Sequence, residues 1–391
     1  MLGFIDFLKE EAGEGAKLKH IHHAEDRPLL HGSAGFEHAE GALRQANEHM
    51  KAGESSNALT MKYDGSPAVV FGHHPENGKF FVASKSAFNK NPKINYTPED
   101  IDANHGHAPG LASKLKAALE HLPKSAPKKG VYQGDLMHTP EDHKHNKDGS
   151  VSYTPNTITY TAHGDEAAKV KKSKVGMVVH TKYEGKDLAS MHATPHVSED
   201  EFKQHPDVHL HTANYDASHV NHPKESQDEF EKHMHAAKGI HLKNPDMYKH
   251  TERHQGDGNH MATYINQTVR QDSKPNTEDF KKHVMDKYTK AADKVKTQKT
   301  KDAKIGEGEG QVAHIDAHKK DYDNMFKMHQ HLQAAKNTLV NSLDTHTGGY
   351  GHHIEGKETK PEGYVVNHKD EPTKLVNRAE FAKANLLKVR K

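Results

Sequence analysis

Apolar positions near the start of the chain recur at helical spacing. Phe36, Ala39, Leu43, Ala46 and Met50 share one helical face, and Phe4, Ile5, Phe7 and Leu8 form a shorter amphipathic segment. The stretch between them, HIHHAEDRPLLHGSAG, reads as a loop. From residue 57 the period shortens. Residues 59–63 (LTMKY) and 68–71 (AVVF) read as strands, and 80–83 (FFVA) as a partner strand after the Asn77-Gly78 turn. Leu111, Leu115, Leu119 and Leu122 mark a helix stopped by Pro123. Residues 131–137, 157–160 and 175–179 read as further strands.

Beyond residue 198 the texture turns helical. Phe280, Val284, Tyr288, Ala291 and Val295 follow a Thr277 cap with Glu278 and Asp279 in the first turn. Ile315, Tyr322, Phe326, Leu332, Leu339 and Leu343 predict one longer helix. The intervening KTKDAKIGEGEGQ reads as a flexible link. Strand texture returns at 363–366, and a last helix is expected from Arg378 to Lys388. These changes divide the chain into a helical N-terminal segment (1–52), the first part of an α+β domain (53–197), a helical insertion (198–345) and the second part of the domain (346–391). The sheet is expected to be mainly antiparallel.

Composition narrows the classes. No stretch approaches the roughly 20 apolar residues of a spanning helix, so no membrane partner is expected. The 55 basic and 54 acidic side chains nearly cancel, so a nucleic-acid surface must be a local patch. Cysteine is absent and the N-terminus lacks a basic n-region and a long apolar stretch, which fits a reducing, cytoplasmic setting. The 38 histidines cluster at 20–23, 105–107, 143–145, 209–211 and 329–331. These clusters share no repeated ligand spacing and contain no His-Glu-x-x-His set. They read as generic surface polar residues, with metal binding as the alternative.

Candidate chemistry centres on Lys62-Tyr63-Asp64-Gly65-Ser66. A lysine at a strand end, followed by Asp-Gly in a tight turn, can project its amine into a cleft, where desolvation favours the nucleophilic free base. The alternative is a surface lysine before a β-turn.

This segment resembles motif I of the covalent nucleotidyltransferases, the superfamily of ATP-dependent DNA ligases, RNA ligases and capping enzymes. Ser66 brings it closer to the RNA-ligase branch. Further resemblances follow in the family's order. Ala83-Ser84-Lys85-Ser86 resembles the basic motif on the next strand, and Val131-Tyr132-Gln133-Gly134-Asp135-Leu136 resembles motif III, with Asp135 in place of Glu. Pro361-Glu362-Gly363-Tyr364-Val365-Val366 resembles motif IV, and Lys374-Leu375-Val376 a reduced motif V. The long interval between Asp135 and Glu362 suits the family only if the helical block is an insertion. Val376 stands where motif V has a second lysine; Lys369 and Arg378 are candidates to compensate. The whole chain also resembles a family of uncharacterised tailed-phage proteins, through residues 20–26, 62–71 and 80–90.

The resemblance implies an α+β, mainly antiparallel-sheet nucleotidyltransferase domain, ATP-grasp-like as in ligase adenylation domains, with a large helical insertion; with only 15 residues after Val376, no OB-fold domain of the kind DNA ligases and capping enzymes add is expected. It implies ATP-dependent adenylyl transfer through a covalent lysyl–AMP on Lys62, acting on RNA or another polynucleotide in the host bacterial cytoplasm. Asp64, Glu362 and Lys374 join Lys62 as catalytic residues. Thr60, Gly65, Lys85 and Asp135 join Lys62, Glu362 and Lys374 in binding ATP, and Asp135 and Glu362 hold Mg²⁺. The second class of function is a catalytically weak or inactive nucleotide-binding phage structural or host-interaction protein. The third is a histidine-rich metal-binding protein. Lysines 281, 282, 287, 290, 294, 296 and 299 read as a solvated helical face, with a polynucleotide clamp as the alternative.

Overall fold

The structure, a computed structural model, describes residues 21–53, 55–254 and 260–378. The expected amphipathic segment at 4–8 and the last helix beyond Arg378 lie outside these residues. In chain order the elements begin with α1 (Arg27–Ala52), β1 (Ser55–Lys62), β2 (Ala68–His73), β3 (Phe80–Ala83), α2 (Pro98–His105), α3 (Pro109–His121) and β4 (Val131–His138). Then come β5 (Lys144–His145), β6 (Val151–Tyr153), β7 (Thr159–Ala162), α4 (Gly164–Lys172), β8 (Val175–Glu184), β9 (His192–Thr194), β10 (Val208–Thr212) and β11 (Asn214–Asp216). Six helices follow: α5 (Lys224–Lys243), α6 (Met247–Thr251), α7 (His260–Gln271), α8 (Thr277–Asp293), α9 (Gln298–Ala317) and α10 (Lys319–Leu343). The chain returns to strands in β12 (Gly351–Ile354), β13 (Lys357–Glu358), β14 (Gly363–His368) and β15 (Glu371–Leu375).

The protein is α+β, and the described residues fall into two compact units. One takes 53–219 and 346–372, and the other takes 22–52, 220–345 and 373–378. In the first unit β11, β1 and β14 lie side by side and antiparallel, with Thr60 opposite Val365 and Lys62 opposite Gly363. A second sheet runs β10-β8-β4-β2-β3, with β9 against β8; only its β10–β8 pair is parallel. Its central strands β2, β4 and β8 are buried on both faces, which accounts for the unbroken apolar run of β2. Val69, Phe71 and Leu136 pack with Ile101 of α2 and Leu115 of α3, while Val70, Phe81 and Val131 pack the opposite way with Leu188 and Met191. A third sheet runs β13-β12-β7-β6-β5.

β10 and β11 fall inside the block expected to be helical, and the sheet-bearing unit extends to residue 219. The strand pattern in VHLHT is hidden because His209 occupies a buried strand position that a surface reading of histidine gives to solvent.

The second unit is helical, and residues 22–52 belong to it. The expected apolar face of α1 is buried from Phe36 to Met50, and α1 packs with α5, α6 and α10. α1 begins at Arg27, within the stretch expected to be a loop, and is broken at Gly32, whose φ is 60°. The cap of α8 is Asn276, one residue before the expected Thr277: its side chain accepts from the Asp279 N–H, while Thr277 is buried and donates to Asp323. The expected flexible link is helix α9, and Ile315 belongs to it. A Cβ on Gly308 would lie 2.8 Å from the Tyr288 Cβ, so this glycine permits close approach of α8 and α9.

A buried ionic network ties the unit's chain segments together. Glu25 and Lys336 pair at 2.7 Å with both side chains fully buried, and Lys336 also donates to the Val376 carbonyl at 2.7 Å. Asp26 pairs with His329 at 3.0 Å and with Arg378 at 2.9 Å. Burial pushes the Asp26 carboxyl up, but Arg378 and His329 outweigh it and hold it at about 2. The Lys374 N–H donates to the His22 carbonyl.

Candidate active site

β1 ends on Lys62, and the antiparallel register sets Gly363 opposite it. Glu362, one residue before β14, is thereby brought beside the lysine. The two side chains form a direct ion pair, with Glu362 14% exposed and Lys62 31% exposed. Burial pushes the Glu362 carboxyl above the usual range. Lys62 pulls against that rise, and the charges of Asp64 and Asp135 add to it.

The turn after Lys62 is held by its own carboxylate. Asp64 is buried and accepts from the Asn156 amide at 2.8 Å and from the Thr157 and Ile158 backbone N–H groups at 2.6 and 2.7 Å. Its backbone N–H donates to the Tyr160 hydroxyl at 2.8 Å. Asp64 is therefore a positioning residue that locks the strand end to the 156–158 loop. Both of its oxygens are engaged in these bonds.

Gly65 follows at the closest approach. A Cβ here would lie 2.5 Å from the Asp135 Cβ and 2.9 Å from the Met137 Sδ. The chain then pairs with β4, through Ser66 N–H to the Leu136 carbonyl and Leu136 N–H to the Pro67 carbonyl. The Ser66–Pro67 peptide is cis. These contacts bring Asp135 to the turn that follows Lys62. Asp135 is 23% exposed and lies 3.8 Å from the His180 Nε2.

Lys62, Asp64, Gly65, Asp135 and Glu362 are thus assembled in one place in the first unit. The donor set fits a hard cation: Asp135 and Glu362 offer carboxylate oxygens, the ligand type that Mg²⁺ prefers. The other expected residues are placed differently. Thr60 is buried, and its hydroxyl donates to the Val365 carbonyl at 3.4 Å, within the sheet rather than toward a base. Lys85 opens a short 3₁₀ turn (Lys85–Phe88) after β3, is exposed, and makes no ion pair among the described residues. Lys374 lies on β15 in the part of the chain assigned to the second unit. Arg378, a candidate substitute for the second motif V lysine, is bound to Asp26 and Asn266 in that unit.

Asn156, Thr157, Ile158, Tyr160 and His180 carry no motif of their own. The signal that points to three of them is the need of a buried Asp64 for donors. The aromatic surroundings were equally hidden: the Tyr63 ring lies 6.0 Å from that of Tyr160 and 5.5 Å from that of His211.

The fold and site define an α+β protein with antiparallel sheets and a lysine–carboxylate centre at a strand end. The chain belongs to a family of unknown function, DUF6267, whose model matches residues 18–390. No curated protein and no solved structure matches it. No helix among the described residues is long and apolar enough to cross a membrane.

Proposed function

We propose that the protein is an ATP-dependent nucleotidyltransferase that forms a covalent lysyl–AMP on Lys62. The observation that carries this reading is the Lys62–Glu362 ion pair at paired strand ends, with Asp64 and Asp135 close enough to act on the same carboxyl. In the reaction the Lys62 Nζ forms a bond to the α-phosphorus of ATP, the bond from that phosphorus to the bridging oxygen breaks, and pyrophosphate leaves. The ammonium must first give up a proton, and Glu362, whose proton affinity is raised by burial, accepts it. Asp64 holds the turn so that the amine is aimed before the nucleotide arrives. Mg²⁺ held by Asp135, with Glu362 as a ligand only before it takes the proton, would offset charge on the phosphate oxygens.

The acceptor class implied by the resemblance is RNA or another polynucleotide, in a phage-infected cell. The lysine face of α8 adds little support to that part. Lys281 is paired with Glu278 and Asp316, Lys282 with Asp279 and Lys290 with Asp286, which fits a solvated face. A second reading, nucleotide binding with weak or no transfer, is favoured by Val376. Its residue is buried and its carbonyl serves Lys336, so the second motif V position is used in packing. Incubation with α-³²P-ATP and Mg²⁺ followed by denaturing electrophoresis separates the two: label on the intact protein but not on Lys62→Ala supports transfer, and absence of label with retained ATP binding supports the second reading.

A further inference from the structure

The histidines were expected to be surface polar residues, yet His138, His254, His283, His329 and His352 are buried. One group stands apart from the nucleotidyltransferase reading altogether. In the helical unit, His250 at the end of α6 and His314 and His318 at the end of α9 bring their ring nitrogens within 4.8 Å of one another. We propose that His250, His314 and His318, backed by Asp321, bind one divalent first-row transition ion, with Zn²⁺ as the fitting example.

The geometry follows from helix spacing. His314 and His318 are four residues apart, one turn along the same face. Their ring centroids are 4.5 Å apart, and the His250 and His318 rings stack at 3.6 Å. Three imidazoles around a tetrahedral ion, each about 2.0–2.1 Å from it, need nitrogens roughly 3.3 Å apart. Binding would turn the stacked His250 and His318 rings apart so that nitrogens now within 4.8 Å converge on the ion. The Asp321 carboxylate lies 3.9 Å from both the His250 Nε2 and the His318 Nδ1, where it can serve as a fourth ligand or orient a ring. The Tyr322 hydroxyl donates to the His250 carbonyl at 2.9 Å and fixes the end of α6. His318 is 35% exposed and His250 23%, so an ion can enter from solvent.

The site also answers a packing need. α9 is twenty residues long, yet its fully buried positions are Gly308 and Ile315 alone among its described residues. α8 packs against α9 around Gly308, and Lys281 of α8 pairs with Asp316 near the α9 C-terminus. An ion shared by α6 and α9 would pin the C-terminal end of α9 beside Ile315.

The test uses the full chain stripped with chelator, then titrated with Co²⁺, followed by its visible absorption, and with Zn²⁺ in competition. One equivalent giving the intense band of a tetrahedral ion is expected. His314→Ala and His318→Ala should each abolish the band and weaken Zn²⁺ binding at least 100-fold, while Asp321→Asn should weaken it by about 10–100-fold. His233→Ala is the control, because His233 lies 3.0 Å from His331 in the same unit but outside the group; it should change nothing. Circular dichroism checks that each variant keeps its helices, and His318→Gln gives a second, milder loss of the same ligand. The proposal is overturned if no tight equivalent exists, if the band survives His314→Ala in a folded protein, or if His233→Ala weakens binding as much.

Discussion

Glu362 reaches Lys62 although residues 220–345 of the helical unit lie between them in the sequence. The register of β1 on β14, which sets Lys62 opposite Gly363, produces the pairing. A strand pair of this kind fixes an amine and a carboxylate within direct contact without relying on loop order, which is what a preorganised centre for phosphoryl chemistry needs.

Asp64 should matter through position. Asp64→Asn keeps one acceptor oxygen but loses the charge that holds two backbone N–H groups and the Asn156 amide. Self-adenylylation is expected to fall by about 100-fold, the effect of a displacement near 1 Å at a reacting group. Thermal unfolding should drop as well, because charge-assisted hydrogen bonds are worth about 1.5–3 kcal/mol. Loss of labelling with unchanged stability would instead assign Asp64 a direct chemical role.

The lysine, the Asp-Gly turn and the later carboxylates were legible because each belongs to a short motif, with Lys62 and Glu362 at strand ends and Asp135 within β4. The strands and the face of α1 were legible from period alone. What was hidden has a common cause: residue types were read by their usual habit. Histidines in VHLHT concealed a strand, and glycines in IGEGEGQ suggested a linker where Gly308 in fact lets two helices meet. Glu25 and Asp26, quoted as part of a family resemblance, are the buried ionic anchor of the helical unit. No local pattern announces a partner as distant as Lys336.

The glycines of α9 separate two effects. Gly308→Ala would force a Cβ to within 2.8 Å of Tyr288 and is expected to destabilise by about 1–3 kcal/mol. Gly306→Ala meets nothing within 4 Å and should stabilise by up to about 1 kcal/mol through helix propensity. Chemical denaturation of both variants checks the opposite signs.

The Glu25–Lys336 pair makes a directional test. Glu25→Leu leaves the Lys336 ammonium buried without its carboxylate and is expected to cost about 3–5 kcal/mol. Adding Lys336→Met should recover much of that loss, because no buried charge then remains. A double variant as unstable as the single one would show that the charges themselves hold the unit.

Stability should fall in mild acid before the carboxylates titrate. Burial lowers His352 from about 6.5 to about 4 and lowers His138 well below its ordinary value. The unfolded chain then binds more protons than the folded one between those limits. Stability is fully present above about pH 6.5 and declines below it, with a slope of up to about 1.4 kcal/mol per pH unit for each such histidine. Asp26, held at about 2, adds a further loss as pH falls from about 4 toward 2. Denaturation midpoints measured from pH 8 to 3 test the order of the two phases, and His352→Gln should flatten the first.

The central claim is that Lys62 is a nucleophile toward ATP. Its most direct measurement is mass spectrometry of the peptide bearing residue 62 after incubation with α-³²P-labelled ATP and Mg²⁺. The expected result is an acid-labile, alkali-stable AMP adduct on Lys62, formed as pyrophosphate is released and absent from Lys62→Arg and Lys62→Ala. Unmodified Lys62 in a protein that binds ATP, or undiminished labelling of Lys62→Ala, would contradict the account.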